Sequence, residues 1–164
     1  FTADGFFRTG DAGYINDQGE LFLKERIKDL FKTSNGKYIA PQMIESLLLV
    51  DKFIDQVVVI ANERKFVSAL IVPEFRLVEE WAKDHGIAFE SREDLCANAK
   101  VNKMMMDRIQ TLQQQLAHYE QIKRFTLIAH HFSMESGELT NTLKIRRPVI
   151  YKNFKEVIDK MYEE

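Results

Sequence analysis

Cysteine is nearly absent from these 164 residues, with Cys96 the only one. A disulfide framework and a cysteine-ligated metal cluster are therefore excluded, and a reducing, cytoplasmic setting fits. Cys96 has no activating neighbour in sequence and reads as structural. Charge of one sign is missing too: Lys plus Arg number 23 and Asp plus Glu 25, a net of −2. No global basic field is present to draw nucleic acid. No apolar run approaches the roughly 18 residues a membrane helix needs. No signal-peptide pattern is visible. Neither a Ser–His–Asp order nor a nucleophile elbow appears. His130 and His131 are adjacent, which on a strand sends them to opposite faces, and neither has a Cys or acidic partner at metal spacing. The chain shows no repeats and no low-complexity tract.

What remains is an ordinary globular composition, 45% apolar and 29% charged, too apolar for a disordered chain. One domain with at most a small appendage is the expectation at this length. Such a chain buries roughly 68–70% of its unfolded surface. Phe6-Phe7-Arg8-Thr9-Gly10-Asp11 reads as a strand ending in a turn. Tyr14-Ile15 and Leu21-Phe22-Leu23 flank Asn16-Asp17-Gln18-Gly19 as a β-hairpin. Leu30-Phe31 and Tyr38-Ile39 repeat that logic around Ser34-Asn35-Gly36. Pro41 suits the first turn of a helix carrying Met43, Ile44, Leu47 and Leu48 on one face. The β-branched runs in Asp55–Ala61 and Phe66–Val72 predict well-buried strands. Leu77, Val78, Trp81 and Ala82 predict an amphipathic helix closed near Gly86. The longest helix is predicted from Val101 to Tyr119, with Met105, Ile109, Leu112, Leu116 and Tyr119 as its stripe. Met104-Met105-Met106 reads as packing within it. A strand over Phe125–Ala129 follows, then a polar stretch from Ser133 to Asn141. A final helix carries Ile150, Phe154, Val157, Ile158 and Met161. The fold class is α+β: early β-hairpins, then a small three-stranded sheet packed by helices.

Four places carry chemistry. Asp11 closes Arg8-Thr9-Gly10-Asp11, where a carboxylate held at a glycine turn can accept hydrogen bonds from vicinal hydroxyls. On spacing alone the plainer reading, a turn Asp bonding its own backbone, is the stronger. Arg26 and Lys28 lie two apart with Asp29 beside them, and alone they read as a solvated turn. Thr33-Ser34-Asn35-Gly36-Lys37 has the small residues that admit close approach of a ligand. It does not match a Walker loop, and the plainer reading is a hairpin tip. Lys144 follows a polar loop near a helix start, where its ammonium can reach a phosphate or carboxylate oxygen as a mobile point charge. Arg146 and Arg147 add positive charge there, and the plainer reading is a charged surface cluster.

The order of these signals is more telling than any one of them. Asp4-Gly5-Phe6-Phe7-Arg8-Thr9-Gly10-Asp11 resembles the DG(W/F)(F/H/R)xTGD motif of the adenylate-forming superfamily, which contains acyl-CoA synthetases, adenylation domains and luciferases. Glu25-Arg26-Ile27-Lys28-Asp29-Leu30-Phe31-Lys32 resembles its next motif, GRxKDxIK. Ile39-Ala40-Pro41 and Ile44-Glu45 match the IxPxxIE that follows. Leu139-Thr140-Asn141-Thr142-Leu143-Lys144-Ile145-Arg146-Arg147 is similar to the last motif, LTPTxKxKR. The likeness covers essentially the whole chain. Lys32-Thr33-Ser34-Asn35-Gly36-Lys37-Tyr38-Ile39-Ala40-Pro41 and the LTxTLKIRR ending from Leu139 to Arg147 resemble the long-chain fatty-acid–CoA ligases in particular.

The resemblance implies a C-terminal lid domain of that fold. Residues 1–24 would be the edge of a missing N-terminal adenylation domain, 25–29 a hinge, and 30–164 the mobile lid. The chain begins at Phe1 without an initiator Met, and a fragment of a larger enzyme, inert alone, is expected. By resemblance, Asp11 and Arg26 would bind the ribose of ATP. Lys28 would be the hinge pivot. Lys144 would be the catalytic adenylation lysine. Gly36 and its loop would line the pantetheine tunnel of CoA, and Tyr38 would sit near the acyl channel. Two departures stand out: Glu25 replaces the usual Gly, and Asn141 the commoner Pro. The implied activity is ATP-dependent fatty-acid–CoA ligation through an acyl-adenylate, with domain rotation between the steps. Loading of a carrier-protein thiol, or a non-catalytic binding module, stays open beside it. Fatty acid, ATP, CoA and Mg2+ would serve the full-length enzyme, with none of the cofactors and no metal held by this fragment alone. Nucleic acid is not an expected partner, and a cytoplasmic enzyme with peripheral membrane contact is the expected setting.

Overall fold

The computed structural model describes residues 1–163, apart from the side chains of Lys24 and Glu25. Strands β1 (Asp11–Ile15) and β2 (Leu21–Arg26) form the first antiparallel hairpin. Asn16 builds its turn, with Oδ1 accepting from Gln18 N and Glu20 N at 3.1 and 2.8 Å. A bulge falls between Ala12 and Gly13. Only glycine fits at Gly13, because a Cβ there would collide with the Phe22 carbonyl oxygen. A 3-10 turn, Ile27–Asp29, leads into the second hairpin, β3 (Phe31–Lys32) and β4 (Tyr38–Ile39). Its loop is stitched to the loop after β5 (Ile54–Ile60) by Ser34 N to Arg64 O at 3.0 Å and Glu63 N to Lys32 O at 2.8 Å.

The main sheet has the order β5, β6 (Val67–Pro73), β7 (Ile122–Leu127), with β5–β6 antiparallel and β6–β7 parallel. Every residue of β6 is buried, because helices cover both faces and an unbroken apolar run is then favoured. On one face Val57, Val59 and Ile71 pack with Ile44 and Leu48 of α1 (Pro41–Leu48), Val78 of α2 (Phe75–Asp84), Leu95 of α3 (Arg92–Ala97), and Met105 and Ile109 of α4 (Ala99–Leu112). On the other, Val58, Ile60 and Leu70 pack with Ile150 of α5 (Arg147–Asn153) and with Phe154 and Ile158, the latter in α6 (Lys155–Lys160). The α+β expectation and both hairpins therefore hold.

Several boundaries differ from the sequence expectations. Residues 6–10 form no strand; Gly5 and Gly10 have φ of +89° and +81°, which interrupts extended backbone on either side. The long helix ends at Leu112 rather than Tyr119 and tightens into a 3-10 turn over Gln113–Gln115. There the buried Gln113 side chain accepts from Ile122 N at 2.8 Å and donates to Ile122 O at 3.2 Å, turning the chain back toward β7. That strand starts at Ile122 and ends at Leu127, earlier than expected at both ends. Helix α3 was not foreseen, although Ser91 and Asp94 form a complete capping box. The final helix is two, broken at Phe154 with φ −107° and ψ 21°.

Candidate functional site

The first cluster lies at the open end of the first hairpin. Asp11 and Arg26 are cross-strand partners, and Arg26 Nε stands 3.5 Å from Asp11 Oδ1. The Asp11 N–H donates to Thr9 Oγ1 at 3.1 Å, and Ile27 N donates to Gly10 O at 2.7 Å, closing the hairpin mouth. A cleft of about 740 Å³ opens here, lined by Phe7, Thr9, Asp11, Arg26 and Lys28 among others. The Asp11 carboxylate is turned to Arg26, so the plainer turn reading of that residue loses its main support. The pair joins an acceptor of hydroxyl hydrogens to a fork of donors, the combination a sugar diol needs. Lys28 has no ion-pair partner among the described residues. The expectation about Glu25 concerns a side chain outside the described residues.

The second cluster is the tip of the second hairpin. Gly36 sits at φ +75° with open space around it, while Thr33 N donates to Lys37 O at 2.9 Å and Lys37 N donates to Thr33 Oγ1 at 3.1 Å. Tyr38 is 60% exposed. Beside this loop lies a smaller cleft of about 290 Å³, lined by Asn35, Lys37, Lys65, His118, Tyr119 and Lys123 among others. Lys37 Nζ stands 5.4 Å from the Tyr119 ring centroid. The Arg64 guanidinium, from the loop stitched to this hairpin, holds Asp159 at 2.8 Å and lies 4.9 Å over the Tyr162 ring.

Lys144 lies on a third, small hairpin. Leu139 bridges Ile145, Thr140 N donates to Lys144 O at 2.8 Å, and Lys144 N donates to Thr140 Oγ1 at 3.0 Å. Thr142 Oγ1 is 3.0 Å from Thr140 Oγ1 across the turn. Leu143 takes φ +59° to close it. Threonine hydroxyls thus shape this loop where Asn141 stands in place of Pro. The Lys144 side chain is exposed, and its ammonium has no partner among the described residues. Asp11, Arg26 and Lys28 are thus brought together in one cleft, and Gly36, Tyr38 and Lys144 are not among its lining residues.

Sequence reasoning gave Glu45 and Arg147 places in motifs but no task. They form a part-buried ion pair: Arg147 Nη1 and Nη2 each donate at 2.8 Å, to Glu45 Oε1 and Oε2 respectively. A glutamate on the apolar face of α1 was the available signal, since a buried carboxylate demands a partner. Cys96 is held inert, its thiol pushed up to about 11 by burial. Among the described residues no three His, Cys, Asp or Glu side chains gather as a metal site. His131 does find an acid in space, Asp55 Oδ2 at 3.2 Å.

The family model for the AMP-binding enzyme C-terminal domain matches residues 28–164. A long chain acyl-CoA synthetase of Arabidopsis thaliana is 32% identical over 164 residues, covering 98% of this chain and 25% of that protein. A long-chain-fatty-acid–CoA ligase of Homo sapiens is 36% identical over 163 residues, covering 97% of this chain and 23% of that protein. The chain thus spans about a quarter of the length of these relatives. Among solved structures, the adenylation domain of a carboxylate reductase from Mycobacterium chelonae superposes with a TM-score of 0.76 at 25% identity, covering 100% of this chain and 24% of that one.

Proposed function

Because the chain belongs to the family of AMP-binding enzyme C-terminal domains, we propose that it is the lid of an ATP-dependent long-chain fatty-acid–CoA ligase. The observation that carries this reading is the placement of Asp11, Arg26 and Lys28 in one cleft. A diol-binding pair and an unpaired lysine at a 3-10 turn stand two residues apart, at the exit from the first hairpin. In this reading residues 1–24 edge the nucleotide domain, 25–29 are the hinge, and 30–164 swing. Similarity to ligases that are named for long-chain fatty acids supports the substrate class.

The chemistry suits the parts. A fatty carboxylate attacks the α-phosphate of ATP and pyrophosphate leaves, so negative charge gathers on oxygens of both reactants. Asp11 and Arg26 hold the ribose and fix the nucleotide. Lys144, whose exposed ammonium has no partner among the described residues, bridges carboxylate and phosphate oxygens and neutralises the developing charge. Thiol attack on the acyl-adenylate needs a different approach and no lysine there. Rotation about Lys28 withdraws Lys144 and brings in the Gly36 loop. The cationic cleft beside Lys37 then lies where an anionic acceptor arrives. That acceptor is CoA in the first reading and a carrier-protein thiol in the second. The likeness to a carboxylate reductase adenylation domain keeps the second in play. The reading puts the enzyme in the cytoplasm, meeting membranes peripherally through its lipid substrate. Among the described residues no helix is long and apolar enough to cross one.

The test is AMP release by the full-length parent with palmitate, octanoate, acetate or mixed amino acids, with and without CoA. Palmitate- and CoA-dependent turnover is expected, lost in Lys144→Ala. Turnover that ignores CoA but needs a carrier protein selects the second reading, and none with any acid leaves only the fold.

A further inference from the structure

The outer edge of β5 is capped by side chains in place of another strand. Val59 N donates to Glu45 Oε1 at 2.8 Å, and Arg147 Nη1 donates to Val59 O at 3.4 Å as well as to Glu45 Oε1 at 2.8 Å. One carboxylate and one guanidinium thus satisfy both backbone groups of a single edge residue and each other. The Glu45 side chain is only 8% exposed and that of Arg147 20%. The guanidinium also lies 5.2 Å from the Phe31 ring centroid. A fixed planar fork is required for these simultaneous contacts, which a lysine cannot reproduce.

Arg147 begins α5, immediately after the hairpin that carries Lys144. The other leg of that hairpin is also tied down. Glu138, 2% exposed, accepts from Ser136 Oγ at 2.6 Å and from Asn153 Nδ2 of α5 at 3.1 Å. Arg146 N donates to Glu138 O at 2.8 Å and closes the base. The Lys144 hairpin therefore meets the body of the lid through two buried carboxylates, one under each leg, and through Leu139 and Ile145, which pack against the second core. Among the described residues, the hydrogen bonds of its tip run within residues 140–144.

We propose that the Glu45–Arg147 pair is a positioning device for Lys144, locking the lysine hairpin to the β5 edge so that the ammonium is delivered at a fixed depth when the lid closes. Arg147 and Glu45 do not touch the reactants; they set where Lys144 begins. The proposal rests on the assignment of Lys144 to the adenylation step. The two half-reactions use the same lid, so general loosening harms both, whereas misplacing Lys144 harms only the first.

The experiment uses the full-length parent and the variants Arg147→Lys, Glu45→Gln and Lys144→Ala. Pyrophosphate release from palmitate and ATP is measured separately from thioester formation on supplied palmitoyl-adenylate. Hydrogen exchange of the 138–146 amides is followed alongside. Arg147→Lys, the mildest change, is expected to slow adenylation about tenfold through kcat, with the KM for ATP and the thioester step within about twofold. Exchange at 138–146 rises while the β6 amides stay protected. Equal loss in both half-reactions, or unchanged exchange at 138–146, overturns the proposal. If Lys144→Ala fails to separate the half-reactions while Arg147→Lys still loosens 138–146, the tether stands and the adenylation role of Lys144 falls. If Lys144→Ala separates them and Arg147→Lys does not, the tether falls alone.

Discussion

Arg26 faces Asp11 across the mouth of the first hairpin at 3.5 Å, and the chain turns into Ile27–Asp29 at the next residue. The pair is open to solvent, with the side chains 63% and 32% exposed. Exposed pairs of this kind contribute about 0–1 kcal/mol to stability. The pair therefore adds little to the stability of the fold.

Asp11→Asn should accordingly leave the Tm nearly unchanged but weaken nucleotide binding. Losing one charge-assisted hydrogen bond costs about 1.5 kcal/mol, roughly tenfold in the KM for ATP. Steady-state kinetics of the full-length parent check this. An unchanged KM for ATP beside an unchanged Tm would remove Asp11 from the ribose site.

Lys144→Ala should slow the adenylation half-reaction about 10²–10³-fold, by analogy with loss of one electrostatic donor. Thioester formation from supplied acyl-adenylate should survive. Because the exposed Lys144 side chain makes no hydrogen bond or ion pair among the described residues, the thermal midpoint should not move. Equal loss in both half-reactions would refute the assignment.

The parts legible in the sequence were those governed by local pattern. The two hairpins follow from turn residues at Asn16–Gly19 and Ser34–Gly36. The buried strands β5 and β6 follow from β-branched runs that helices cover on both sides. What periodicity missed depended on single side chains acting at a distance. The Gln113 amide reaches Ile122 and ends a helix whose apolar stripe ran on to Tyr119. Phe154 divides the last helix although Ile150, Phe154 and Ile158 keep helical spacing and share one core. At the candidate site, motif order singled out Asp11, Arg26 and Lys144, and the structure brings the first two together with Lys28 in one cleft. The ion pair beneath Lys144 joins residues 102 apart, a link that no local pattern encodes.

That separation makes the stability cost of breaking the pair testable. Removing one partner strands a charge with its hydrogen bonds unmet, at a cost of about 3–5 kcal/mol for buried pairs. Glu45→Ala should sit toward the lower end, since Arg147 keeps some solvent. The double variant Glu45→Leu/Arg147→Met should be more stable than Glu45→Ala, because no charge is left behind. Urea denaturation of the three proteins decides. A double variant no better than the single one would mean that lost packing on Phe31, rather than the stranded guanidinium, sets the cost.

Gly36 offers a cleaner separation of backbone from space. Its φ of +75° is strained for other residues, yet a Cβ there meets nothing within 4 Å. Gly36→Ala should therefore cost about 1–2 kcal/mol of local strain with no clash. In the parent its effect should fall on thioester formation and spare adenylation, the reverse of Lys144→Ala. A Gly36→Ala enzyme slowed in adenylation alone would place this loop away from the acceptor thiol.

Tyr162 ties the end of the chain to the sheet, and the tie should come undone in alkali. Its hydroxyl proton is shared between the carbonyls of Ile60 and Phe66 at 3.1 and 3.0 Å, which leaves Ser68 Oγ, 2.7 Å away, to donate to the phenol oxygen. Burial pushes the Tyr162 phenol up to about 12, against an ordinary value of about 10. The folded state thus prefers the protonated phenol more strongly than the unfolded state does. Below about pH 10 both states hold the proton and the contribution to stability is complete. Between about 10 and 12 the unfolded chain gives up the proton while the folded chain keeps it, so stability falls as pH rises. Cys96, raised to about 11, and Tyr151, also raised by burial, act in the same direction but are common to both proteins in the comparison. Tyr162→Phe leaves the acceptors without their donor and should lower stability by about 1–3 kcal/mol at neutral pH. Its Tm should then decline less steeply from pH 9.5 to 11.5 than that of the unaltered chain. Parallel declines would show that the phenol ionises in the folded state as readily as in the unfolded one.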